Sequence, residues 1–315
     1  MTQQTKYIAP DNLQAACNVA LDLQMPLLVT GEPGTGKTQL AYWLAEQQNT
    51  EVLRFNTKTT SVARDLFYRY DAIRHFREAH HQNEKQSVNT LDFVSFEALG
   101  LAIAASEAKR FVVLIDEVDK APRDFPNDVL FELEELAFRS EEATSKDYAS
   151  YDFSQKTEFA RLQHPLSKIN LDAQNFIRQA TDPNNKGIKK NAPIIILTSN
   201  SEKNLPDAFL RRCIFFHIDF PKKPVLADIV RKNVDLSPNF EELLDEVIDA
   251  FLSIRESGMR KKPATAELIQ WVKMLEKRGI DLTKLDTEEA KTKLISTYPI
   301  LAKNKEDLEK LTQSV

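Results

Sequence analysis

Residues 31–38 read GEPGTGKT, which satisfies the pattern G-x-x-x-x-G-K-[ST]. An apolar segment, PLLVT at 26–30, precedes them, and an amphipathic segment, TQLAYWLAEQ at 38–47, follows. This order predicts a strand, a glycine-rich turn and a helix. In such a turn the backbone N–H groups converge on the phosphates of a nucleotide. The Lys37 side chain can then reach the β- and γ-phosphate oxygens, and the Thr38 hydroxyl can coordinate a Mg²⁺ ion. Three of the 7 glycines of the chain lie in this stretch, so backbone freedom is concentrated here.

Length and composition limit the kinds of protein that this chain can be. At about 100–200 residues per domain, the 315 residues predict one large or two modest domains. The net charge is −5, from 42 basic and 47 acidic residues, which is not typical of a nucleic-acid or membrane-surface protein. Cys17 and Cys213 form no C-x-x-C pair, so neither a disulfide framework nor a zinc site is expected. Without a signal-peptide pattern or an apolar run of about 20 residues, we expect a cytoplasmic protein.

Short apolar runs alternate with longer amphipathic segments along the first 220 residues. The predicted strands are 26–30, 52–56, 111–115, 193–199 and 214–220. The predicted helices between them are 37–48, 62–80, 96–109, 125–138 and 206–212. This alternation predicts an α/β fold, a doubly wound parallel sheet covered by helices on both faces.

The character of the chain changes near Pro221, beyond which no apolar strand-like run remains. The helices predicted there are 225–234, 239–256, 265–278 and 286–296, followed by a charged tail. We therefore predict an α/β domain at 1–220 and a smaller all-helical domain with a C-terminal tail at 221–315. The polar segment 140–175 fits no strand of the sheet and is interpreted as an insertion with partial helical structure.

Polar residues follow two of the predicted strands at the edge where parallel sheets bind ligands. FVVLIDEVD at 111–119 places Asp116 and Glu117 there, and PIIILTSN at 193–200 places Asn200. Asp116 is suited to hold a Mg²⁺ ion, and Glu117 is suited to orient an attacking water molecule. Asn200 could hydrogen-bond to the γ-phosphate or to that water molecule. The alternatives are a solvated acidic loop for the carboxylates and a simple turn for Asn200.

A further segment, LPDAFLRRC at 205–213, ends a short predicted helix with Arg211 and Arg212. Adjacent arginines on a surface helix are usually solvated. If one of them instead reaches a neighbouring subunit, its guanidinium can neutralise charge that develops on a γ-phosphate.

These four segments, in this order, resemble an AAA+ ATPase: GEPGTGKT resembles Walker A, LIDEVD Walker B, TSN sensor 1, and LPDAFLRRC the arginine-finger helix. The sequence around these motifs, including DLFYRYDA and LIDEVDKAPRDFPNDVLFELEE, is similar to the MoxR-like branch of this family. The resemblance implies ATP and Mg²⁺ as cofactors, with Thr38 and Asp116 at the metal. It implies Glu117, Asn200, Arg212 and, as the substitute finger, Arg211 as catalytic residues. It implies as nucleotide-binding residues Tyr7, Ile8, Gly31, Glu32, Pro33, Gly34, Thr35, Gly36, Lys37, Thr38, Gln39 and Asp116.

In proteins of this kind Tyr7 and Ile8 would wall the adenine. The family commonly places a sensor 2 arginine at the start of the third lid helix, where this chain reads MRKKPATAELIQW and Arg260 lies before Pro263. In the MoxR-like branch the stretch before the sensor 1 strand often forms a hairpin facing the ring pore. Here that stretch, PNNKGIKKNA at 183–192, carries three lysines that suit an acidic client or nucleic acid, or are simply solvated.

Three functions remain open. The first is a MoxR-like, chaperone-like ring, expected to be a hexamer, that remodels a protein client such as a von Willebrand factor A-type domain protein. The second is a nucleic-acid motor, either a helicase or an NTPase subunit of the McrB type. The third is a non-catalytic nucleotide switch. Intact Lys37, Asp116, Glu117 and Asn200 argue against the switch, and the net charge of −5 argues against the motor, so we favour the first.

Overall fold

The computed structural model describes residues 7–81, 88–156, 169–179, 189–200 and 203–314. The described chain forms two compact units. The larger unit contains 9–30 and 38–217, and the smaller contains 7–8, 31–37 and 218–314. Each unit has its own hydrophobic core.

The centre of the larger unit is a five-stranded sheet. Its strands are β1 (Leu27–Gly31), β2 (Val52–Asn56), β5 (Val112–Asp116), β8 (Ile194–Ser199) and β9 (Ile214–Ile218), in the order β2-β5-β8-β1-β9. The pairings of β2 with β5, β5 with β8 and β8 with β1 are parallel. The three inner strands are buried along their whole length, while β2 and β9 at the edges are partly exposed. The predicted α/β fold with a parallel sheet is confirmed. The inner strands appear in the sequence as continuous apolar runs because both faces of the sheet are covered.

In the α/β part of the chain one helix precedes the first strand and the others lie between strands. They are α1 (Asp11–Leu23), α2 (Lys37–Gln47), α3 (Ala72–His81), α4 (Ala98–Ala104), α5 (Phe125–Asp128), α6 (Leu130–Glu135), α7 (Ser145–Ser150) and α8 (Asp207–Leu210). The inward residues of the sheet, such as Val113 and Leu197, pack in one core with Leu99 and Ile103 of α4. This burial removes apolar surface from water and holds the carboxyl ends of the strands at one edge.

The predicted helix at 62–80 is wrong in its first half. Residues Tyr68–Tyr70 form β3, which pairs antiparallel with β4 (Val94–Phe96). Gly100 in α4 shows how closely the backbone just before β3 packs on this helix, because a Cβ there would lie 1.9 Å from the Phe67 carbonyl oxygen. Tertiary packing and the β propensity of tyrosine therefore override the helical periodicity, which only α3 follows.

The predicted helix at 125–138 is also interrupted. Leu136 adopts φ 48°, which ends α6, and Ala137–Phe138 form β6, which pairs with β7 (Ile177–Arg178). The segment interpreted as an insertion, 140–175, contains α7 and a short 3₁₀ turn at Phe153–Gln155. Its residues 157–168 lie outside the described part of the chain.

The C-terminal part is helical, as predicted, with α9 (Lys223–Asn233), α10 (Pro238–Glu256), α11 (Thr265–Arg278), α12 (Glu288–Ile295) and α13 (Lys305–Gln313). Trp271 is buried in its core and donates its indole N–H to Thr297 Oγ1 at 2.8 Å. The segment predicted as a charged tail instead forms α13. Its Leu311 is buried in the core, and its Asp307 accepts hydrogen bonds from the backbone of Arg260 and Lys261.

Candidate nucleotide site

The glycine-rich loop that follows β1 has a backbone conformation that residues with a side chain do not adopt easily. Gly34 and Gly36 have φ 78° and 92°, which L-residues rarely occupy. A Cβ on Gly34 would lie 2.4 Å from the Ala264 Cβ, and one on Gly36 would lie 2.6 Å from the Tyr7 ring. Both positions therefore require glycine for space as well as for conformation.

The polar groups of the loop are held against its own backbone. Lys37 is 7% exposed, and its Nζ donates to the carbonyl oxygens of Gly31 at 2.8 Å and Glu32 at 2.9 Å. The Thr35 hydroxyl also donates to the Glu32 carbonyl, at 2.9 Å. The result is an ammonium group fixed inside a turn whose backbone N–H groups lie at the start of α2, an arrangement that suits an anion.

The remaining loop candidates are less enclosed. Pro33 and Gln39 are exposed, and Ile8, like Tyr7 before it, is partly exposed. Because the Tyr7 ring contacts Gly36, the structure brings this residue to the loop. Arg260, near the position expected for a sensor 2 arginine, forms an ion pair with Glu306 at 2.8 Å.

Arg255 of α10 was not predicted from the sequence. Its side chain is 7% exposed and its Nη2 lies 2.6 Å from Glu32 Oε2 of the loop. The guanidinium also donates to the Pro263 carbonyl and lies 3.4 Å from the Phe220 ring centroid. Charge-assisted hydrogen bonds and a cation–π contact together satisfy this buried cation and connect the loop to the C-terminal helices.

At the end of β5, Asp116 is the centre of a hydrogen-bonded cluster. Thr38 Oγ1 lies 3.1 and 3.3 Å from its two carboxylate oxygens, and Thr198 Oγ1 donates to Oδ1 at 2.6 Å. Arg54 of β2 forms an ion pair with Oδ2 at 2.6 Å. The sequence predicted Thr38 and Asp116 but missed Thr198 and Arg54. Only the order of the strands shows that they lie beside Asp116.

Glu117 adopts φ 57°, an uncommon conformation for a residue with a side chain. Its backbone N–H donates to Thr198 Oγ1 at 2.8 Å. Its carboxylate accepts a hydrogen bond from Asn200 Nδ2 at 3.2 Å and forms an ion pair with Lys120 at 2.5 Å. The structure thus brings Glu117 and Asn200 together and adds Lys120, which the sequence reasoning missed.

The donor set around Asp116 fits Mg²⁺. Among the described residues no group of three or more His, Cys, Asp or Glu side chains could hold a metal ion. Magnesium is usually bound through only one or two carboxylates, with waters and substrate phosphates completing its shell. The adjacent oxygens of Thr38 and Asp116 are hard ligands of the kind this ion prefers.

The two candidate finger arginines lie at the end of α8. Arg212 Nε forms an ion pair with Glu134 Oε1 at 2.6 Å, and its Nη1 donates to the Ala208 carbonyl at 2.9 Å. Arg211 is exposed. The described contacts of Arg212 do not include Asp116, Glu117 or Asn200.

A protein-family model, the AAA domain of the dynein-related subfamily, matches residues 26–213, which is more than half of the chain. The chain belongs to the AAA domain family. The match spans the glycine-rich loop, Asp116, Glu117, Asn200 and both finger arginines. Nucleotide binding, with ATP and Mg²⁺ as the expected ligands, follows from membership of this ATPase family.

Solved structures similar to this AAA protein include two single-substitution variants of RuvB from Thermotoga maritima. The first is 13% identical with a TM-score of 0.46, and the match covers 93% of this chain and 70% of that one. The second is 13% identical with a TM-score of 0.47, covering 95% and 73%. No curated protein matches the sequence. Within the described residues, no helix of this AAA protein is long and apolar enough to cross a membrane.

Proposed function

We propose that this AAA protein hydrolyses ATP in an oligomeric ring and uses the cycle to remodel or assemble a protein partner. The observation that carries the proposal is the cluster at the ends of β5 and β8. There Asp116 is bonded to Thr38 and Thr198, while Glu117 is bonded to Asn200. We further propose that 1–220 is the nucleotide-binding domain and that 221–315 is the lid domain with its tail.

Each residue has a role that its position supports. Lys37 and the backbone N–H groups of the loop bind the phosphates, and Thr38 and Asp116 hold Mg²⁺, which neutralises phosphate charge when bound. Glu117 orients the attacking water and takes its proton. Asn200, at 3.2 Å from the Glu117 carboxylate, fixes the direction of that carboxylate.

Two substitutions test these roles. Lys37→Ala removes the buried cation of the loop, so nucleotide binding is lost. Glu117→Gln keeps the shape of the side chain and removes the proton acceptor, so binding persists while turnover is lost. Lys277→Ala, at an exposed position of α11, is the matched control and leaves both unchanged. Equal loss of binding in the Lys37 and Glu117 variants contradicts the assignment.

We also propose that Arg212 acts on the nucleotide of the neighbouring subunit. A cyclic head-to-tail ring repeats one interface, so the surface carrying α8 meets the next subunit. A guanidinium supplied in this way contributes about 10³–10⁵ in rate in related phosphoryl-transfer enzymes. For this role Arg212 must exchange Glu134 for phosphate, and because that ion pair is partly exposed the exchange costs little.

Mixing two variant subunits tests whether Arg212 acts on the nucleotide of a neighbouring subunit. Arg212→Ala subunits bind nucleotide but turn over poorly, and Lys37→Ala subunits offer them an intact finger, so the mixture recovers part of the activity. The same experiment with exposed Arg211→Ala decides between the two arginines. Turnover per subunit that does not depend on protein concentration, together with no recovery on mixing, contradicts action in trans.

The partner proposed is a protein. The net charge of −5 offers little general attraction to nucleic acid. In the predicted pore hairpin, 183–188 lie outside the described residues. Lys189 bonds to the Glu134 carbonyl and Lys190 lies 3.6 Å from Glu107. A von Willebrand factor A-type domain client, a hexameric ring and the cytoplasm as its location rest on the resemblance and the composition alone.

Hydrolysis by the wild-type chain with and without DNA or RNA separates the protein client from the nucleic-acid motor. The expected result is no stimulation. Stimulation that falls steeply with salt would favour the motor, because each neutralised phosphate releases counterions.

A further inference from the structure

A third carboxylate follows the pair at the end of β5, and it is buried. Asp119 is 2% exposed and lies in a 3₁₀ turn, Val118–Lys120, directly after Glu117. Taking a carboxylate out of water is costly unless hydrogen bonds compensate for the lost hydration. The roles proposed for Asp116 and Glu117 leave Asp119 without one, so its contacts indicate what it does.

The Asp119 carboxylate holds the backbone of Asn200. Its Oδ2 accepts a hydrogen bond from the Asn200 N–H at 3.1 Å. Asn200 comes directly after β8, and the pairing of β8 with β1 ends one residue earlier, at Ser199. The conformation of Asn200 therefore depends on contacts outside the strand ladder. A bond from an N–H to a carboxylate is stronger than one to a neutral oxygen, which suits Asp119 to this task.

Asn200 connects this bond to Glu117. Its side-chain Nδ2 donates to Glu117 Oε1 at 3.2 Å, while the Glu117 backbone N–H donates to Thr198 Oγ1. The chain turns at Glu117, which has φ 57°, and Asp119, two residues later, contacts the residue that follows β8. Asn200 is thus held through its backbone by Asp119 and through its amide by Glu117.

A second contact anchors the turn that carries Asp119. Lys203 Nζ donates to the backbone carbonyl oxygens of Lys120 at 3.2 Å and Ala121 at 3.0 Å. In sequence, Asp119 lies between these bonds and the bond from the Glu117 N–H to Thr198. Because the turn is fixed on both sides, it can keep Asn200 in one orientation before the reaction begins.

The burial of Asp119 argues against a role as a second base. The Glu117 side chain is 39% exposed, whereas Asp119 is 2% exposed. A general base has to lie within hydrogen-bond reach of the water that it activates. The exposed carboxylate of Glu117 meets this condition, and the buried one acts through Asn200.

We propose that Asp119 is a positioning residue for hydrolysis. It fixes the backbone of Asn200, so that the Asn200 amide directs the Glu117 carboxylate toward the attacking water. The inference rests on the proposed hydrolysis and adds to it a residue that touches neither nucleotide nor water. Without the Asp119 carboxylate, the Asn200 amide loses its direction and Glu117 is aligned less often.

The test compares steady-state ATP hydrolysis and ADP affinity of the full chain at one protein concentration, with rates normalised to the ADP-binding stoichiometry. Asp119→Ala removes the acceptor of the Asn200 N–H, and kcat falls by about 10- to 100-fold, as expected for a misplaced catalytic group. The KM for ATP and the affinity for ADP stay within about 2-fold of wild type, because the proposed phosphate and metal ligands are unchanged. Asp119→Asn keeps an uncharged acceptor and recovers kcat to within about 2- to 5-fold of wild type. The control variant, Asp128→Ala, removes an exposed carboxylate of the same unit and leaves all three quantities unchanged.

A double-mutant cycle shows whether Asp119 acts through Asn200. Asn200→Ala alone lowers kcat, and adding Asp119→Ala lowers it by no more than about 2-fold further, because the amide that Asp119 directs is already gone. If Asp119→Ala does not fold, Asp119→Asn replaces it in the cycle, and its smaller loss has to vanish beside Asn200→Ala. An unchanged kcat in the variant used, a parallel loss of ADP affinity, or losses that multiply in the cycle overturn the inference. If the wild type binds ADP but hydrolyses no ATP, the proposed hydrolysis itself fails.

Discussion

Replacing Thr198 by valine removes one hydroxyl that serves two proposed site residues. Thr198 is 1% exposed, and its Oγ1 donates to Asp116 at 2.6 Å while it accepts from the Glu117 N–H at 2.8 Å. Valine has nearly the same shape, so the loss is mainly one of hydrogen bonding. A bond to a charged group contributes about 1.5–3 kcal/mol, and an N–H left without its acceptor costs about 1–3 kcal/mol. Because Arg54 still pairs with Asp116, we expect about 2–4 kcal/mol of lost unfolding free energy.

Urea unfolding followed by circular dichroism, with linear extrapolation to water, measures this loss. Thr198→Ser is the control, since it keeps the hydroxyl and removes only a methyl group, at about 1 kcal/mol. The valine variant should also bind nucleotide and turn it over slowly, because the backbone of Glu117 loses its anchor. If valine costs no more than serine, the hydroxyl does not stabilise the cluster and the reasoning is refuted.

Other predictions concern the rest of the chain. A double-mutant cycle of Arg255→Met and Glu32→Gln should give a coupling of about 1–3 kcal/mol in unfolding free energy, and a value near zero contradicts the ion pair. Burial alone would raise the pKa of Asp307, but hydrogen bonds to its carboxylate outweigh this and lower the pKa. Its contribution to stability is therefore present above the unfolded pKa and lost as pH falls through the folded value, below about pH 4, so Asp307→Asn should flatten the fall in melting temperature there. Burial raises the pKa of Cys17 to about 11 and of Cys213 to about 12, so neither thiol should react with Ellman's reagent at neutral pH before urea is added.

The sequence predicted the sheet well because its inner strands are buried on both faces. Such strands appear as continuous apolar runs, and β5 and β8 are adjacent, so residues after each of them lie at one edge. The pair of Glu117 and Asn200 follows from that adjacency. The role of Thr198 could not be predicted in the same way. Within an apolar strand, only the register of strand pairing shows which neighbouring residue the threonine hydroxyl faces.

Local periodicity failed where tertiary pairing decides conformation. The helical pattern of 62–80 continues through Tyr68–Tyr70, yet these residues pair with β4. The pattern of 125–138 continues through Leu136, yet its φ of 48° turns the chain into β6. Neither partner strand is close in sequence to the segment that it pairs with. Arg255 was missed for the same reason, because its partner Glu32 lies far away along the chain.

The two carboxylates at the end of β5 are held differently, and the difference matches the roles proposed for them. Asp116 is bonded by side chains from α2, β2 and β8, so its position is fixed from three directions. A group that holds a metal ion benefits from such preorganisation. Glu117 has a fixed backbone but a half-exposed carboxylate, shared between Asn200 and Lys120. Because exposed ion pairs contribute little, Glu117 can exchange Lys120 for a water molecule at small cost while Thr198 keeps its backbone in place.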